Sequence, residues 1–355
     1  MPHKIDMVLD FQYGSTGKGL IAGYLAKREN YDTAICAFAT NAGHTYIDHT
    51  RNMNVMTQQL PTGITSPSVK TLMIGPGAAI HLETLRTELH RYNTTIADKR
   101  ILIHPHAAIV EDYHGDFEKS DGRTKMGSTA KGVGEAYIER IRRNPSNPNT
   151  ASRRISPNDP IFSLVTTPEK YNEALNNAQS VLIEGAQGFS LSMYHGAYPY
   201  TTSRDVTPWQ VAADCGLPYA WASYVKVVGT LRSFPIRVSN RDGSSGPCYP
   251  DQVELKWADL GMEPELTTVT KLPRRVFTFS QEQLTDAMFH CGGYWDTRLF
   301  LNFANYLKDD TEIDALIKAI ETPRHLMMNT GRVEWIGMGA DDESVFTRAE
   351  WDARK

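Results

Sequence analysis

The chain has 355 residues, of which 37 are Lys or Arg and 41 are Asp or Glu, giving a formal net charge of −4. This length allows a sizeable core, whereas the slightly acidic balance offers no positive field to gather duplex nucleic acid. No apolar run approaches the roughly 18 residues of a membrane helix, and no secretion signal is indicated. The cysteines lie too far apart to predict a zinc site or a disulfide framework; they are Cys36, Cys215, Cys248 and Cys291. We therefore expect a protein of a reducing cytoplasm that binds neither duplex nucleic acid nor membranes.

Glycine-rich turns follow short apolar runs at four places, residues 5–11, 71–74, 181–183 and 225–228. Apolar strands that each lead into a loop are typical of a mainly parallel sheet that is buried on both faces. We predict an α/β protein with a single large domain over residues 1–355, in which helices flank a central, mainly parallel sheet. Ligands of such a sheet bind at the carboxyl ends of its strands.

Two segments within this domain are predicted loops. Residues 142–160 contain several Pro and Asn residues, which exclude a long helix or a central strand. Residues 241–250 are rich in Gly and Ser. Neither segment is interpreted as a domain boundary.

Residues 14–19 read Gly-Ser-Thr-Gly-Lys-Gly and stand between the first predicted strand and a helical pattern. Glycines allow backbone N–H groups to close around phosphate oxygens, a helix N-terminus adds its dipole, and Lys18 supplies a positive charge. The pattern predicts a P-loop-like phosphate site. It is not a complete Walker A motif, because Gly19 stands where a Ser or Thr would hold magnesium. The alternative interpretation is a glycine turn with a solvated lysine.

Four more loops carry polar groups suited to a nucleotide. Residues 41–45 read Asn-Ala-Gly-His-Thr, a pattern that by itself leaves His44 open as a structural or a catalytic histidine. Residues 184–188, Glu-Gly-Ala-Gln-Gly, and 195–203, His-Gly-Ala-Tyr-Pro-Tyr-Thr-Thr-Ser, supply an amide and hydroxyl groups. Residues 127–134 precede a predicted helix with a basic end, which indicates a second anion-binding arrangement.

In this order, and together with Thr-Val-Thr-Lys-Leu-Pro-Arg-Arg at 268–275, these loops resemble those of the adenylosuccinate synthetase family. The resemblance covers most of the chain. Members of that family join L-aspartate to C6 of a purine monophosphate: a nucleoside triphosphate phosphorylates the 6-oxygen, and the aspartate amine then displaces the phosphate. The resemblance implies a C–N ligase that uses Mg²⁺ and works as a homodimer.

The resemblance also implies catalytic roles. Lys18 and the backbone amides of Gly17 and Gly19 would hold the transferred phosphoryl group, where positioning and electrostatics supply most of the catalysis. His44 would act as the general acid. The magnesium ligands would be Ser15 and the carbonyl of Gly43.

Two substrate sites follow from the same resemblance. The purine monophosphate site would comprise Ser15, Asn41, Thr129, Arg143, Gln187 and Thr202. The aspartate site would comprise Thr268, Val269, Thr270 and Arg274. Arg143 would reach the nucleotide of the neighbouring subunit, the alternative being a solvated surface arginine.

Ser15 departs from the family, which has an aspartate there as magnesium ligand and as the base that removes the purine N1 proton. A serine hydroxyl is too weak a base for that role at neutral pH, and the sequence leaves the replacement open. The shorter side chain leaves space toward C2, where guanine carries an amino group that a hydroxyl can accept from. The catalytic position Ser15 therefore favours a guanine monophosphate.

Two further departures concern the sugar and the phosphoryl donor. Leu272 stands where the family has an arginine near the ribose, which favours deoxyribose. Asn305 stands where the family's carboxylate reads guanine, and its amide suits adenine, with Phe303 covering the purine face. The predicted donor site comprises Gly14, Thr16, Gly17, Lys18, Gly19, Phe303, Asn305, Asn329, Thr330 and Gly331. The alternative is that residues 299–307 are an ordinary core strand with Asn305 in its exit turn.

These departures resemble the phage branch of the family, which makes the 2-aminoadenine precursor from dGMP. The sequence thus predicts a ligase that uses dGMP, L-aspartate and ATP or dATP, in the host cytoplasm if a phage encodes it. An ordinary adenylosuccinate synthetase acting on IMP and GTP is one alternative. A catalytically inert nucleotide-binding protein is the other.

Overall fold

The computed structural model describes residues 2–122, 124, 128–240, 244–267, 271–292, 297–322 and 331–354. The strands of this part are β1 (Lys4–Asp10), β2 (Thr33–Cys36), β3 (His44–Asp48), β4 (Met53–Thr57), β5 (Thr71–Ile74), β6 (Ala79–Ile80), β7 (Arg100–Ile103), β8 (Ala108–Ile109), β9 (Ser180–Glu184), β10 (Val225–Arg232), β11 (Ile236–Arg237), β12 (Glu254–Leu255), β13 (Arg275–Phe277), β14 (Arg298–Asn302), β15 (Arg332–Gly337) and β16 (Val345–Thr347). The α-helices are α1 (Lys18–Arg28), α2 (Leu82–Arg91), α3 (Asp112–Ser120), α4 (Val133–Arg142), α5 (Ala151–Arg154), α6 (Pro168–Asn177), α7 (Pro208–Asp214), α8 (Gln281–Cys291), α9 (Asp310–Glu321) and α10 (Arg348–Asp352).

Nine strands form the central sheet, in the order β16-β15-β14-β10-β1-β9-β2-β5-β7. Each neighbouring pair is parallel except β15 with β16. The predicted mainly parallel sheet is therefore confirmed. The loops that follow β2, β9, β1, β10 and β14 leave the sheet side by side, along what is here called the carboxyl edge.

Both faces of the sheet are covered by helices. Along β1, Ile5, Met7 and Leu9 belong to an apolar cluster that includes residues of α8 and α9. Val8 points to the other face, where the cluster includes residues of α1. Apolar residues on both sides explain why β1 reads as a continuous apolar run and not as an alternating one.

The predicted elements agree with the structure in most places. The run 71–74 is β5 itself, and 181–183 lies inside β9. Within 142–160, the helix α5 has only four residues, as the prolines require. Residues 244–250 contain no helix or strand, while 241–243 lie outside the described residues. None of the helices in the described ranges combines the length and the apolar composition that a membrane crossing requires.

The prediction that Gly229 begins a turn is wrong. The strand β10 continues through this glycine to Arg232. A Cβ at Gly229 would lie 2.6 Å from the Phe11 ring, so the glycine makes room for a neighbouring side chain within the sheet.

Candidate functional site

The carboxylate of Asp10, at the end of β1, organises the glycine-rich loop that follows. It is buried and accepts hydrogen bonds from the backbone N–H groups of Gln12 at 2.8 Å, Gly14 at 3.2 Å and Thr16 at 3.3 Å. The Thr16 hydroxyl also donates to it, and Lys18 Nζ lies 3.1 Å from its Oδ2. One acidic side chain thus gathers backbone and side-chain donors and fixes the shape of the phosphate loop.

Lys18 is the first residue of α1, and its ammonium group is held from two sides. Besides its contact with Asp10, Nζ donates to the backbone carbonyl of Gln187 at 2.7 Å. The side chain is only 6% exposed. Free N–H groups and the positive end of the helix dipole lie at the same point. The arrangement suits a phosphate group, as the sequence predicts.

Glycines allow the neighbouring loops to approach the phosphate loop closely. A Cβ on Gly188 would lie 2.8 Å from Asp10 Oδ1 and closer still to backbone atoms of the phosphate loop. A Cβ on Gly19 would lie 2.8 Å from the backbone of Thr45, which follows His44. The loops after β1, β2 and β9 are therefore packed backbone against backbone.

His44, the first residue of β3, forms a buried pair with Glu184 at the end of β9. Its Nδ1 lies 2.6 Å from Glu184 Oε1, and both side chains are almost fully buried. The other carboxylate oxygen accepts from the backbone N–H of Thr62 at 2.8 Å and from its hydroxyl at 3.0 Å. Since an ionised carboxylate only accepts, the proton lies on Nδ1, and Nε2 remains for a substrate.

Four more predicted residues lie in the loops that follow β1, β2 and β9. Gln187 Nε2 donates to Asn41 Oδ1 at 3.3 Å, and both side chains are half-buried. Gly43 is exposed, with open space where a Cβ would lie. Ser15 is also exposed and has the left-handed φ of 58°. A polar wall and an open mouth therefore adjoin the phosphate loop.

Phe303 follows β14 on the other side of the phosphate loop. The preceding Asn302 donates to the backbone carbonyl of Thr16 at 3.2 Å, and a Cβ on Gly17 would collide with its side chain. Phe303 has a left-handed φ of 55° and is half-buried, whereas Asn305 is exposed. The two residues predicted to meet the donor base thus lie at the carboxyl edge.

The second predicted anion-binding arrangement, at 127–134, is already occupied by the protein itself. The buried carboxylate of Glu118 accepts from the backbone N–H of Gly132 at 2.8 Å and of Gly134 at 2.9 Å. These are the free donors at the start of α4. The backbone donors of Gly132 and Gly134 are therefore satisfied from within the protein, whereas the phosphate contact of the half-buried Thr129 stays a prediction.

Several predicted residues lie farther from the phosphate loop. In the described part of the chain, residues 14–19 share no hydrogen bond or ion pair with Thr129, Arg143, Thr202 or Arg274. Arg143 caps the end of α4, is exposed and has a φ of 51°. Thr202 is half-buried, and its backbone N–H donates to Leu191 O at 2.7 Å.

Gly331 lies at the wrong edge of the sheet for its predicted role. It precedes β15, whose first residue pairs with Arg298 at the start of β14. The donor-base residues follow the end of β14, on the opposite side. The carboxyl end of β15 instead carries Gly337, where a Cβ would collide with the Asn302 side chain, and then Met338 and Gly339. These residues, which sequence reasoning missed, lie at the same edge of the sheet as Phe303, next to Asn302.

Some predicted residues lie outside the described residues. They are Thr268, Val269 and Thr270 of the predicted aspartate site, and Asn329 and Thr330 of the predicted donor site.

Sequence reasoning also missed the two organising carboxylates. Neither Asp10 nor Glu184 has a predicted role, although Glu184 stands within the motif Glu-Gly-Ala-Gln-Gly. A signal was present in both cases, because each is an acidic residue that ends an apolar strand and is followed by a glycine-rich loop.

Comparison with known proteins identifies the family. The adenylosuccinate synthetase family model matches residues 7–150 and 149–294. The chain belongs to the adenylosuccinate synthetase family. Among its relatives, the N6-succino-2-amino-2′-deoxyadenylate synthase of Salmonella phage PMBT28 is 45% identical over 340 residues, covering 91% of this chain and 90% of the relative. The adenylosuccinate synthetase of Pyrococcus horikoshii is 34% identical over 280 residues, covering 78% and 77%.

A solved family member also has the same fold. The cyanophage S-2L succinoaminodeoxyadenylate synthetase, bound to dGMP and to dATP as an energy donor, superposes with a TM-score of 0.89. It is 40% identical, and the match covers 99% of this chain and 98% of that one.

The pairing of His44 with Glu184 yields a test. We expect His44→Ala to lower phosphate release by about 10²- to 10⁴-fold, the usual contribution of a general acid. Glu184→Gln replaces a carboxylate that accepts from three donors by an amide, so His44 loses its orientation and the rate falls by about 10- to 100-fold. The measurement is steady-state phosphate release with thermal unfolding of each variant.

Glu88→Gln is the matched control. Glu88 is likewise buried and accepts from the backbone N–H groups of Gln58, Gln59 and Leu60, without contacting His44. Its variant should lose stability and keep its rate. A Glu184→Gln enzyme that only loses stability would show that the pair merely supports the fold.

Proposed function

We propose that this protein joins L-aspartate to C6 of dGMP, with ATP or dATP as the phosphoryl donor. The products are N6-succino-2-amino-2′-deoxyadenylate, a precursor of 2-aminoadenine nucleotides, with ADP or dADP and phosphate. Ser15 carries the proposal: it stands exposed at the mouth of an otherwise complete phosphate loop, at the position of the family's aspartate. The names of the phage relatives, and the dGMP and dATP bound to the cyanophage enzyme, support the same substrates.

The reaction has two steps. In the first, the bond between the terminal phosphorus and the bridging oxygen of the donor breaks, a bond from phosphorus to O6 of dGMP forms, and the N1 proton of the purine passes to a base. In the second, the aspartate amine forms the C6–N bond and loses a proton as the C6–O6 bond breaks, and phosphate leaves with O6. Lys18 and the N–H groups at the start of α1 stabilise the charge on the phosphoryl oxygens. Asp10 and the Gln187 carbonyl keep the ammonium group in place before substrate arrives.

His44 serves the first of these steps. Glu184 fixes its ring through Nδ1, so Nε2 faces the reacting groups and donates, when protonated, to the oxygen that the phosphoryl group leaves. The intact pair and the intact Lys18 contacts argue against an inert nucleotide-binding protein, since buried charges are retained here at the point where phosphate would bind.

The purine of dGMP lies against Gln187, whose side chain donates to that of Asn41, a residue of the 5′-phosphate site. The exposed Ser15 leaves room for the 2-amino group, and its hydroxyl oxygen accepts from it. Thr129 and Thr202 hold the 5′-phosphate. Leu272 is half-buried near the aspartate segment and offers an apolar neighbour to deoxyribose.

The donor base is an adenine that lies on Phe303, with Asn305 reading its edge. Asn305 is exposed and therefore free to turn its amide toward the base. We assign the closing segment to Met338 and Gly339, since they follow β15 at the carboxyl edge beside Asn302.

The protein offers few ligands for magnesium at the mouth of this site. No group of three His, Cys, Asp or Glu side chains that could hold a metal occurs in the described ranges. Ser15 and the Gly43 carbonyl are exposed neutral oxygens, which suit a hard cation but supply two ligands at most. They would hold an ion whose remaining ligands are nucleotide phosphates and water, and the ion would neutralise charge on those phosphates.

The working enzyme is a homodimer in which Arg143 reaches the dGMP of the other subunit. Arg143 is exposed at the end of α4, and within the described part its side chain forms no hydrogen bond or ion pair, which supports this role. Arg274 pairs with a carboxylate of aspartate. Since relatives at 40–45% identity are phage proteins, we place the enzyme in the cytoplasm of the infected host.

The substrate assignment is tested by phosphate release over a matrix of IMP, GMP and dGMP against GTP, ATP and dATP, with aspartate. We expect the highest rate for dGMP with ATP or dATP, because sites built on polar contacts discriminate strongly between bases. Lys18→Ala is the inactive control. IMP with GTP as the best pair would identify an ordinary adenylosuccinate synthetase, and no release from any pair would indicate an inert protein. A GTP rate equal to that of ATP would contradict the roles of Phe303 and Asn305.

Ser15 is expected to determine the monophosphate. Ser15→Asp should raise the KM for dGMP, because the carboxylate fills the space of the 2-amino group, and an unpaired polar contact costs about 1–3 kcal/mol. The same variant should gain activity on IMP. Ser15→Ala, which keeps the space, is the matched control and should retain more dGMP turnover. Full dGMP activity in Ser15→Asp would refute the steric argument.

Arg143 is tested by mixing inactive subunits. An Arg143→Ala variant is combined with a Lys18→Ala variant, and subunit exchange is verified with labelled chains. Mixed dimers contain one site with both residues intact, so part of the activity should return. Exchange without recovery would indicate that Arg143 acts within its own subunit or not at all.

A further inference from the structure

Arg232, the last residue of β10, is a fully buried arginine at the carboxyl edge. Its backbone N–H donates to Gln12 Oε1 at 3.0 Å, and its carbonyl accepts from Gln12 Nε2 at 3.2 Å. Gln12 lies in the phosphate loop, so the backbone of Arg232 is tied to that loop. Burying a guanidinium group costs free energy unless its donors are paired. The partners of Arg232 therefore indicate which parts of the protein it holds together.

The guanidinium contacts three parts of the proposed site. Nη1 donates to the backbone carbonyl of Ser15 at 3.1 Å. Its Cζ lies 3.8 Å from the centroid of the Phe303 ring, a close cation–π stack. It also forms an ion pair with Glu265, through Nη2 to Oε1 and through Nη1 to Oε2 at 3.4 Å. Ser15 and Phe303 are the positions assigned above to the monophosphate and to the donor base.

Glu265 extends this contact to the aspartate segment. Its backbone carbonyl accepts from the N–H of Arg274 at 2.7 Å, and its carboxylate accepts from the Tyr306 hydroxyl at 3.0 Å. Burial, and then the carboxylate of Glu265, raises the pKa of Tyr306 to about 12, so this hydroxyl stays protonated and keeps donating at neutral pH. The same carboxylate balances the charge of Arg232 beside Arg274.

We propose that Arg232 is a positioning residue that holds the donor-base ring, the phosphate loop at Ser15 and the segment leading to Arg274 in one arrangement. The proposal rests on the proposed function, since it takes its substrate sites from there. With one face covered by the guanidinium, Phe303 offers its other face to the adenine ring. The left-handed conformations of Ser15 and Phe303, which side chains rarely adopt, are both held against this one group.

The test is Arg232→Lys, which keeps the charge but loses the planar fork and the stack. We expect the KM for dATP and the KM for aspartate both to rise about tenfold to a hundredfold, since small misplacements near reacting groups have effects of that size. Phe303→Leu should raise the KM for dATP alone. The double variant should show less than the product of the two single effects on dATP, because both act through one stack.

Arg298→Lys is the matched control. Like Arg232, Arg298 forms an ion pair with a carboxylate, that of the buried Asp6, and lies close to an aromatic ring, 5.1 Å from the centroid of Trp335. Unlike Arg232, it begins β14 and therefore lies at the opposite edge of the sheet. Its variant should lose thermal stability with both KM values unchanged. Arg232→Lys behaving in the same way would overturn the proposal.

Glu265→Gln covers the case in which Arg232→Lys does not fold. This side chain is 28% exposed, and the amide keeps an acceptor for Tyr306 while losing the charge that balances Arg232. We expect the KM for aspartate to rise severalfold, and an unchanged KM would overturn the proposal.

Wild-type turnover of dGMP is measured first, so that the two proposals can fail separately. Its absence would refute the proposed function. The binding of dATP, measured as the increase in melting temperature that it causes in the wild-type and variant proteins, would then test the role of Arg232 without turnover. Equal dATP shifts for wild type and Arg232→Lys would overturn it.

Discussion

The buried carboxylate of Asp10 is the constraint on which the site depends. It lies where β1 ends, and it accepts from the backbone on both sides of Ser15 and from Lys18. A loop rich in glycine has many conformations, so an internal acceptor of this kind is what selects one of them. It also balances the ammonium charge of Lys18 before any phosphate arrives, which avoids an unpaired buried cation.

The parallel sheet explains how distant parts of the chain meet around this carboxylate. The strands β14, β10, β1, β9 and β2 are neighbours in that order, and all five point the same way. The ends of these strands and the segments that follow them therefore bring five residues to one edge: Phe303, Arg232, Lys18, Gln187 and Asn41. Short strands in register place each loop within reach of the next, and glycines such as Gly188 let the backbones touch.

The residue pattern predicted the sheet and the phosphate loop because both are local signals. An apolar run, a glycine cluster and a helical pattern follow each other in β1 and α1 without reference to the rest of the chain. Whether a strand ends or continues at Gly229 is not a local signal, since only the packing of Phe11 against β10 shows that the strand continues. The same holds for Glu118, which satisfies the start of α4 from another helix.

The residue pattern also does not show at which edge of the sheet a segment lies. Gly331 precedes β15, whereas Met338 and Gly339 follow it, and only the direction of the strand decides which of these residues lie at the carboxyl edge. The ion pair of Arg232 with Glu265 joins residues far apart in sequence. Family resemblance supplied the roles of Lys18 and His44, whereas their supporting carboxylates emerged from the contacts alone.

The close packing of Gly188 against the phosphate loop has a consequence for how such an enzyme could acquire a new substrate. Backbone atoms of two loops occupy the space of a side chain there, so neither loop tolerates bulk or a change of path. The side chains of Ser15 and Asn305, in contrast, are exposed at the rim of this rigid frame. Substitutions at the rim leave the packing between the loops untouched, so the base preference can change at little cost in the free energy of folding. The same few loops thus contain backbone atoms that are tightly packed and side chains that can be replaced.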